Sequence, residues 1–234
     1  MDATQSALVH ALERVDRIHA ARRADPVLAQ AMSRVGEWQS RRLRMTYADL
    51  ASDPRYVGAV SFFQNDLYGG TDFSRRDADL ARVAPAMMRL LPHAVIGAVA
   101  RAIELNALSH ELDRTLASRL RDPERFSVAD YCVAYRDEAD YAGRHRQFDL
   151  IAEVGHALDR YVRTPMIGAA LTVMRQPARL AGFAALQDFL ERGFSAFRRM
   201  KGAGPFLAII DEREHAIHRS IVEGSDAPFP DPSH

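Results

Sequence analysis

The sequence predicts an all-α protein, a single bundle-like domain of about eight to ten helices. Helix start and stop signals recur along the whole chain, whereas alternating β-branched segments joined by hairpin turns are nearly absent. The predicted connections are short, and no Gly/Ser/Pro-rich linker precedes Glu223. We therefore expect one helical domain over residues 1–223, followed by a disordered Pro-rich tail over residues 224–234.

Helix boundaries are marked by capping side chains before prolines and by glycines in turns. Proline is tolerated at the first helical position because its missing N–H would have no intrahelical partner there. Such pairs occur at Asp25-Pro26, Asp53-Pro54, Asp122-Pro123 and Thr164-Pro165, a capping-box-like sequence occurs at Ser74 to Asp77, and glycine turns occur at Gly69-Gly70 and Gly202. The predicted helices lie near 4–23, 26–51, 54–68, 75–91, 93–120, 127–143, 145–163, 165–175, 177–200 and 205–222.

The segment 93–120 is predicted to be the central helix. Ile96, Val99 and Ile103 form one apolar stripe, while leucines from 105 to 120 form a second on the opposite side. A helix that is apolar on two faces has to be packed on both.

The segment 177–200 carries aromatic residues at helical spacing, including Phe183, Phe194 and Phe197, with small residues between them. Small residues allow a second helix to approach closely. This face is either packed in the core or forms the seam of a homodimer.

Composition and charge exclude several classes of protein. The 234 residues are 47% hydrophobic and 26% charged, which does not fit collagen-like, disulfide-framework or wholly disordered chains. Thirty-one basic residues balance 31 acidic ones, so no global field attracts nucleic acid or anionic lipid. We expect no nucleic-acid partner, and short basic clusters such as Arg41 to Arg44 are interpreted as solvated surface.

The sequence also favours a soluble, cytoplasmic protein. The longest largely apolar runs, 94–100 and 166–174, are much shorter than the roughly 20 residues of a membrane-spanning helix. The single cysteine, Cys132, cannot form an internal disulfide, which suits a reducing compartment. The first residues lack the basic and apolar regions of a signal peptide.

Two Glu-x-x-His pairs, Glu153/His156 and Glu212/His215, resemble half of a di-metal site in a helical bundle. At about 100° per residue, however, both pairs point away from the apolar stripe of their own helix. Bundle metals lie inside the bundle, so we interpret these pairs as solvated and expect no metal and no cofactor.

A different set of polar residues turns inward. Asn106, His110 and Asp113 continue an apolar face of the central helix, and Glu214 and His218 lie four residues apart on the inner side of the last helix. Polar groups on an apolar face have to be hydrogen-bonded or face a cavity. They either line a ligand or acid–base site or form an internal network that fixes helix register.

The segment 62–77 mixes aromatic, acidic and basic residues densely. Arg76 and Asp77 could pair with Asp66 or Tyr68 across the glycine turn. The segment is either a recognition turn or an ordinary junction between two helices.

Two stretches together resemble a known family. The first reads Phe62-Phe63-x-x-Asp66-Leu67-Tyr68-Gly69 and continues with Arg76-Asp77-x-Asp79-Leu80; the second runs from Met174-Arg175-x-Pro177-Ala178 to Phe194-x-Ala196-Phe197. They resemble an all-helical family of bacterial proteins, mainly proteobacterial, known as a domain of unknown function. The resemblance implies a helical fold and carries over no activity, cofactor or catalytic residue.

These observations lead to two functional hypotheses. The first is a non-catalytic, homodimeric protein that binds a partner or a small apolar ligand in a helical cavity. The alternative is a heme-oxygenase-like or ferritin-like oxidoreductase that uses His110 or His218 as a metal or heme ligand.

Overall fold

A computed structural model describes residues 2–67, 74–90, 92–138 and 140–232. This part of the chain contains helices and no strand, which confirms the all-α prediction. The elements are α1 (Ala3–Ala24), α2 (Pro26–Thr46), α3 (Ala48–Ser52), α4 (Val57–Phe62) with a π-helical turn (Phe63–Leu67), α5 (Ser74–Leu90), α6 (His93–Arg119), α7 (Val128–Glu138), α8 (Tyr141–Val162), α9 (Pro165–Leu180), α10 (Ala184–Arg199) and α11 (Gly204–Val222).

The first two helices begin at capped residues. The Asp2 carboxylate accepts hydrogen bonds from the backbone amides of Thr4 and Gln5, and the Asp25 carboxylate accepts one from Leu28, directly before Pro26. These bonds satisfy amides that lack an intrahelical partner. At the other end of the chain, Gly202 has φ of 133° and turns the backbone between α10 and α11.

Several predicted boundaries are wrong; α8, for example, begins at Tyr141 and not at 145. The segment 26–51 breaks at Tyr47, whose buried side chain donates a hydrogen bond to Glu214 on α11, so a tertiary contact decides the break. The predicted break at residue 176 is also absent, because α9 continues through Pro177 to Leu180. Proline removes one backbone hydrogen bond, but water can replace it because Val173, one turn earlier, is 73% exposed.

Helix α6 is the centre of the fold, as predicted. One face buries Ile96, Ile103 and Ala107 in a cluster with α1, and the other buries Leu112 and Leu116. It packs against α1, α2, α5, α7 and α8. These neighbouring helices are therefore positioned directly by α6.

Helix α10 packs inside the chain, which supports the core interpretation for part of its aromatic face. A Cβ atom on Gly193 would lie 2.8 Å from the Phe62 ring, so only glycine allows this approach to α4. Phe197 is fully buried, whereas Leu190 is 42% exposed.

Residues 225–232 belong to the segment for which the sequence predicts a disordered tail, and the structure packs part of this segment against the helices. This segment is not helical, but the Phe229 ring packs 5.8 Å from the Trp38 ring and 5.9 Å from the Tyr131 ring. Arg41 also donates a hydrogen bond to the carbonyl of Pro232 at 3.1 Å. Burying an aromatic ring contributes roughly 2 kcal/mol or more, and prolines reduce the chain entropy lost when the segment becomes ordered.

Among the helices described, none combines the length and the apolar character that a bilayer crossing requires.

Candidate functional site

A cavity of about 390 Å³ lies between α2, α4, α6, α8, α9 and α10. This volume falls within the range of small-molecule pockets in proteins. Most of its wall is apolar and includes Ile103, Val154, Leu158, Leu171, Phe189 and Phe194. Two lining residues, Ala102 and Leu190, are exposed, so the cavity reaches the protein surface.

The cavity exists because several positions on its wall carry small side chains. Ala98 and Ala102 on α6 and Gly36 on α2 all belong to the lining. A Cβ atom placed on Gly36 would meet no other atom within 4 Å. Protein interiors are normally filled to crystal-like density, so space left open beside a helix glycine is a distinctive feature of this wall.

One end of the cavity is polar. Asn106, His110 and Asp113 of α6 all line it, so the structure brings these three predicted residues together. Gln39 of α2 donates a hydrogen bond to the Asp113 carboxylate at 2.6 Å, and Arg76 of α5 donates one to the Asn106 side-chain oxygen at 3.2 Å.

His110 differs from its neighbours because it makes no hydrogen bond to any residue that the structure describes. Burial and the positive charge of Arg22 together lower its pKa from 6.5 to about 4, against the opposing effect of Asp77. The imidazole is therefore neutral at pH 7 and can donate one hydrogen bond and accept another. A buried polar group in this state is suited to contact a ligand.

Glu214 and His218 do not share this end of the cavity. They line a second, much smaller cavity of about 70 Å³ between α2, α7, α8 and α11. Gln39 and Phe63 contribute to both walls. The five inward polar residues predicted from the sequence thus form two groups.

Glu214 lies at the centre of a buried ion pair. Arg42 donates to both carboxylate oxygens, at 2.6 and 3.0 Å, and the Tyr47 hydroxyl donates to one of them at 2.6 Å. Burial alone would raise the pKa of Glu214, but attraction to Arg42 and these hydrogen bonds outweigh it and lower the pKa. The carboxylate is therefore ionised and fully engaged.

His218 is likewise held by neighbouring side chains. Its Nδ1 atom lies 2.8 Å from the Tyr135 hydroxyl, and its ring packs against Tyr141, His145 and Phe148. Burial lowers its pKa, and the nearby His145 lowers it further. Glu214 and His218 therefore fit the internal-network interpretation better than a ligand site.

Arg42 is buried, although the sequence predicts solvated surface for the cluster of residues 41–44. The residue is only 7% exposed. The signal was present, because Met32, Val35, Gln39 and Arg42 follow one another at steps of three and four on the buried face of α2. An arginine on such a face needs an acidic partner, which Glu214 supplies.

The residues of the predicted recognition turn tie helices together. The Asp66 carboxylate accepts from Arg192 on α10, while Arg76 donates to the Asp66 backbone carbonyl. Asp77 accepts from Arg76 and lies 3.1 Å from the His19 ring on α1. Tyr68 lies outside the described residues.

The two Glu-x-x-His pairs face away from both cavities. Glu153 accepts from Arg146, and His156 is exposed. Glu212 is also exposed, and His215 contacts the Asp211 carbonyl of its own helix. Within residues 2–67, 74–90, 92–138 and 140–232, no group of three or more His, Cys, Asp or Glu side chains is arranged to hold a metal ion.

A protein-family model described as "Domain of unknown function (DUF8198)" matches residues 18–228, which include every residue that lines the larger cavity. The chain belongs to this DUF8198 family. The resemblance to a domain-of-unknown-function family is thereby confirmed. Neither a curated protein nor a solved structure matches the chain.

The ion pair leads to a prediction for this DUF8198 chain. Arg42→Leu should lower the free energy of unfolding by about 3–5 kcal/mol, because it leaves the Glu214 carboxylate buried without its cation. The double variant Arg42→Leu/Glu214→Leu should recover much of that loss. Urea unfolding followed by circular dichroism measures both. A loss below about 1 kcal/mol for Arg42→Leu would contradict the burial of this pair.

His110 leads to a prediction on pH. Its folded-state pKa is lowered from 6.5 to about 4, so between these values the unfolded state binds a proton that the folded state does not. The stability contributed by the neutral imidazole is present above pH 6.5 and is lost as the pH falls to 4. The difference amounts to roughly 3 kcal/mol.

The measurement compares wild type with His110→Gln by urea unfolding at pH 7, 6, 5 and 4. Wild type should lose more stability than the variant across this range. The charged neighbours of His110, namely Arg22, Asp77, His19 and Arg76, are present in both proteins, so their own titration affects both equally. His156→Gln, which removes an exposed histidine, should track wild type. Parallel pH curves for wild type and His110→Gln would show that His110 titrates normally.

Proposed function

We propose that this protein is a non-catalytic binder of a small, mainly apolar ligand, which occupies the cavity beside α6. The single observation that carries this proposal is the cavity of about 390 Å³, apolar along most of its length and polar at the end that holds His110. Pockets of this kind, with a few convergent polar groups in an apolar wall, are typical of small-molecule sites.

The expected free energies favour measurable binding. A ligand that removes about 300 Å² of apolar surface from water gains about 7 kcal/mol. Lost translational and rotational freedom offsets a large part of this gain. Dissociation constants on the order of micromolar therefore require most of the apolar wall to be used.

Blocking the cavity provides the test. Gly36→Phe should weaken binding of N-phenyl-1-naphthylamine, an uncharged apolar fluorophore, by at least about tenfold, because the new ring enters the open space next to Gly36. The helix itself should tolerate the change, since glycine is a poor helix former. Fluorescence titration of delipidated protein measures the affinity.

The matched control is Val27→Phe on the same helix, where Val27 is 80% exposed and lies outside the cavity lining. It should bind the probe like wild type. Gly36→Leu serves as a second blocking variant if the phenylalanine prevents folding. Absence of binding to wild type, or equal binding to all variants, would refute the proposal.

We also propose that two copies associate through the outer face of α9, forming a homodimer in the cytoplasm. Helix α9 buries none of its residues fully, and Met166, Val173 and Leu180 are 80%, 73% and 87% exposed. Their seven-residue spacing places them along one side of the helix, as in a coiled-coil seam. An exposed apolar stripe of this kind supports a protein partner, and a second copy offers the same repeat.

Val173→Glu should therefore convert the dimer to a monomer, because it places a charge in the centre of the stripe. Sedimentation velocity between 1 and 50 µM measures the change. Val27→Glu, at an equally exposed valine on α2, should leave the dimer intact. A wild-type protein that is strictly monomeric over this range would exclude the dimer.

The alternative function is a heme- or metal-dependent oxidoreductase of the heme-oxygenase-like or ferritin-like kind. The observation in its favour is the unpartnered His110 ring facing an apolar cavity, while His218 is already engaged by Tyr135. An absorption spectrum and metal analysis of protein purified from iron-supplemented cells discriminate between the two. Stoichiometric iron, manganese or heme would favour the oxidoreductase; their absence would favour the binding protein.

A further inference from the structure

The polar end of the cavity contains an arginine without an acidic partner. Arg22 of α1 lines the cavity and donates one hydrogen bond, to the Ser33 hydroxyl at 3.2 Å. It forms no ion pair with any carboxylate that the structure describes. Arg14 on the same helix, by comparison, is paired with Glu111. A partly buried cation is costly without a counter-charge, so the missing partner of Arg22 is informative.

The groups around Arg22 offer mainly hydrogen-bond donors. His110 lies close enough for the charge of Arg22 to lower the histidine pKa, and neither ring nitrogen is used by a described residue. The oxygen of the Asn106 amide is occupied by Arg76, which leaves its NH₂ group to donate. Asp113 is the acidic member of this end, and it already accepts from Gln39.

The remaining wall restricts the other end of the ligand. From Ile103 past Val154 and Leu158 to Leu171 and Phe194, the lining offers no charged side chain. A ligand that fills it must be apolar along this length. Its polar atoms have to be gathered at one end.

We propose that the ligand is a long-chain monocarboxylate, whose carboxylate binds Arg22 and His110 and whose alkyl chain lies between α6, α8 and α10. This inference rests on the proposed function and specifies its ligand. Arginine matches the two oxygens of a carboxylate with a planar pair of donors, and a neutral imidazole donates a further hydrogen bond. Arg22 forms no ion pair with a described residue, so its guanidinium donors are available to a carboxylate.

Other head groups fit less well. An alcohol or ester would leave Arg22 without a counter-ion. A phosphate monoester would bring close to two negative charges to an end that already contains Asp113. A carboxylate is repelled less by Asp113 than a phosphate is, and it still supplies Arg22 with a counter-ion.

The test compares four molecules with the same fourteen-carbon chain: tetradecanoate, methyl tetradecanoate, tetradecanol and tetradecyl phosphate. Each displaces N-phenyl-1-naphthylamine from delipidated wild-type protein at pH 7.5. Tetradecanoate should bind at least about tenfold more tightly than the ester and the alcohol. In Arg22→Met its affinity should fall by at least about tenfold, while that of tetradecanol stays unchanged.

Arg23→Met is the matched control, because it removes the neighbouring, exposed arginine and should leave all four affinities as in wild type. Arg22→Lys keeps the charge and should restore part of the preference for the carboxylate. If Arg22→Met fails to fold, Arg22→Gln takes its place in the same comparison.

The outcomes separate this inference from the proposed function. Wild-type protein that binds neither the fluorophore nor any of the four molecules overturns both. Equal affinity for the carboxylate and the alcohol, an unchanged affinity in Arg22→Met, or tighter binding of the phosphate overturns the monocarboxylate alone and leaves apolar binding in place.

Discussion

Helix α6 has to bury apolar side chains on two opposite faces, and the arrangement of the other helices follows from that requirement. Its Ile96 and Ile103 face is covered by α1, whereas Leu116 packs with residues of α2 and α7 and Leu112 packs with Leu150 of α8. Between these contacts, Ala98 and Ala102 of α6 line a space that their small side chains do not fill. The cavity thus lies along the most constrained helix of the fold, and the side chains of its polar end are presented from a rigid element.

The Arg42–Glu214 pair lies in the wall of the smaller cavity. Moving both charges out of water is costly, so the pair is a weak source of net stability compared with an apolar substitute. Its geometry is specific, however, because two guanidinium donors and the Tyr47 hydroxyl converge on one carboxylate. The pair joins α2 to α11, and Tyr47 stands where α2 ends. It thereby fixes the register of the helices around the smaller cavity, while the larger cavity keeps an imidazole and an arginine available.

Periodicity predicted much of this structure, and the misses have a common cause. The two stripes of α6 and the inward direction of Asn106, His110 and Asp113 depend only on the helical rotation of about 100° per residue. They could therefore be predicted from the sequence. Glu214 and His218 lie apart from these three residues because of the way α11 crosses α2 and α8. The pattern within one helix does not predict such a crossing. The burial of Arg42, the end of α2 at Tyr47 and the packing of Phe229 on Trp38 are also tertiary contacts that override a local pattern. The unpredicted continuation of α9 through Pro177 has a different cause. Helix α9 is exposed to water, and an exposed helix tolerates one missing hydrogen bond.

The wall of the larger cavity is itself an argument for an occupant. The cavity is open to the surface at Ala102 and Leu190, so water can enter it. Water forms few hydrogen bonds along the apolar wall of Val154, Leu158 and Phe194, however. A ligand with one polar head and an apolar chain suits both parts of the cavity, and by mass action its binding stabilises the folded chain.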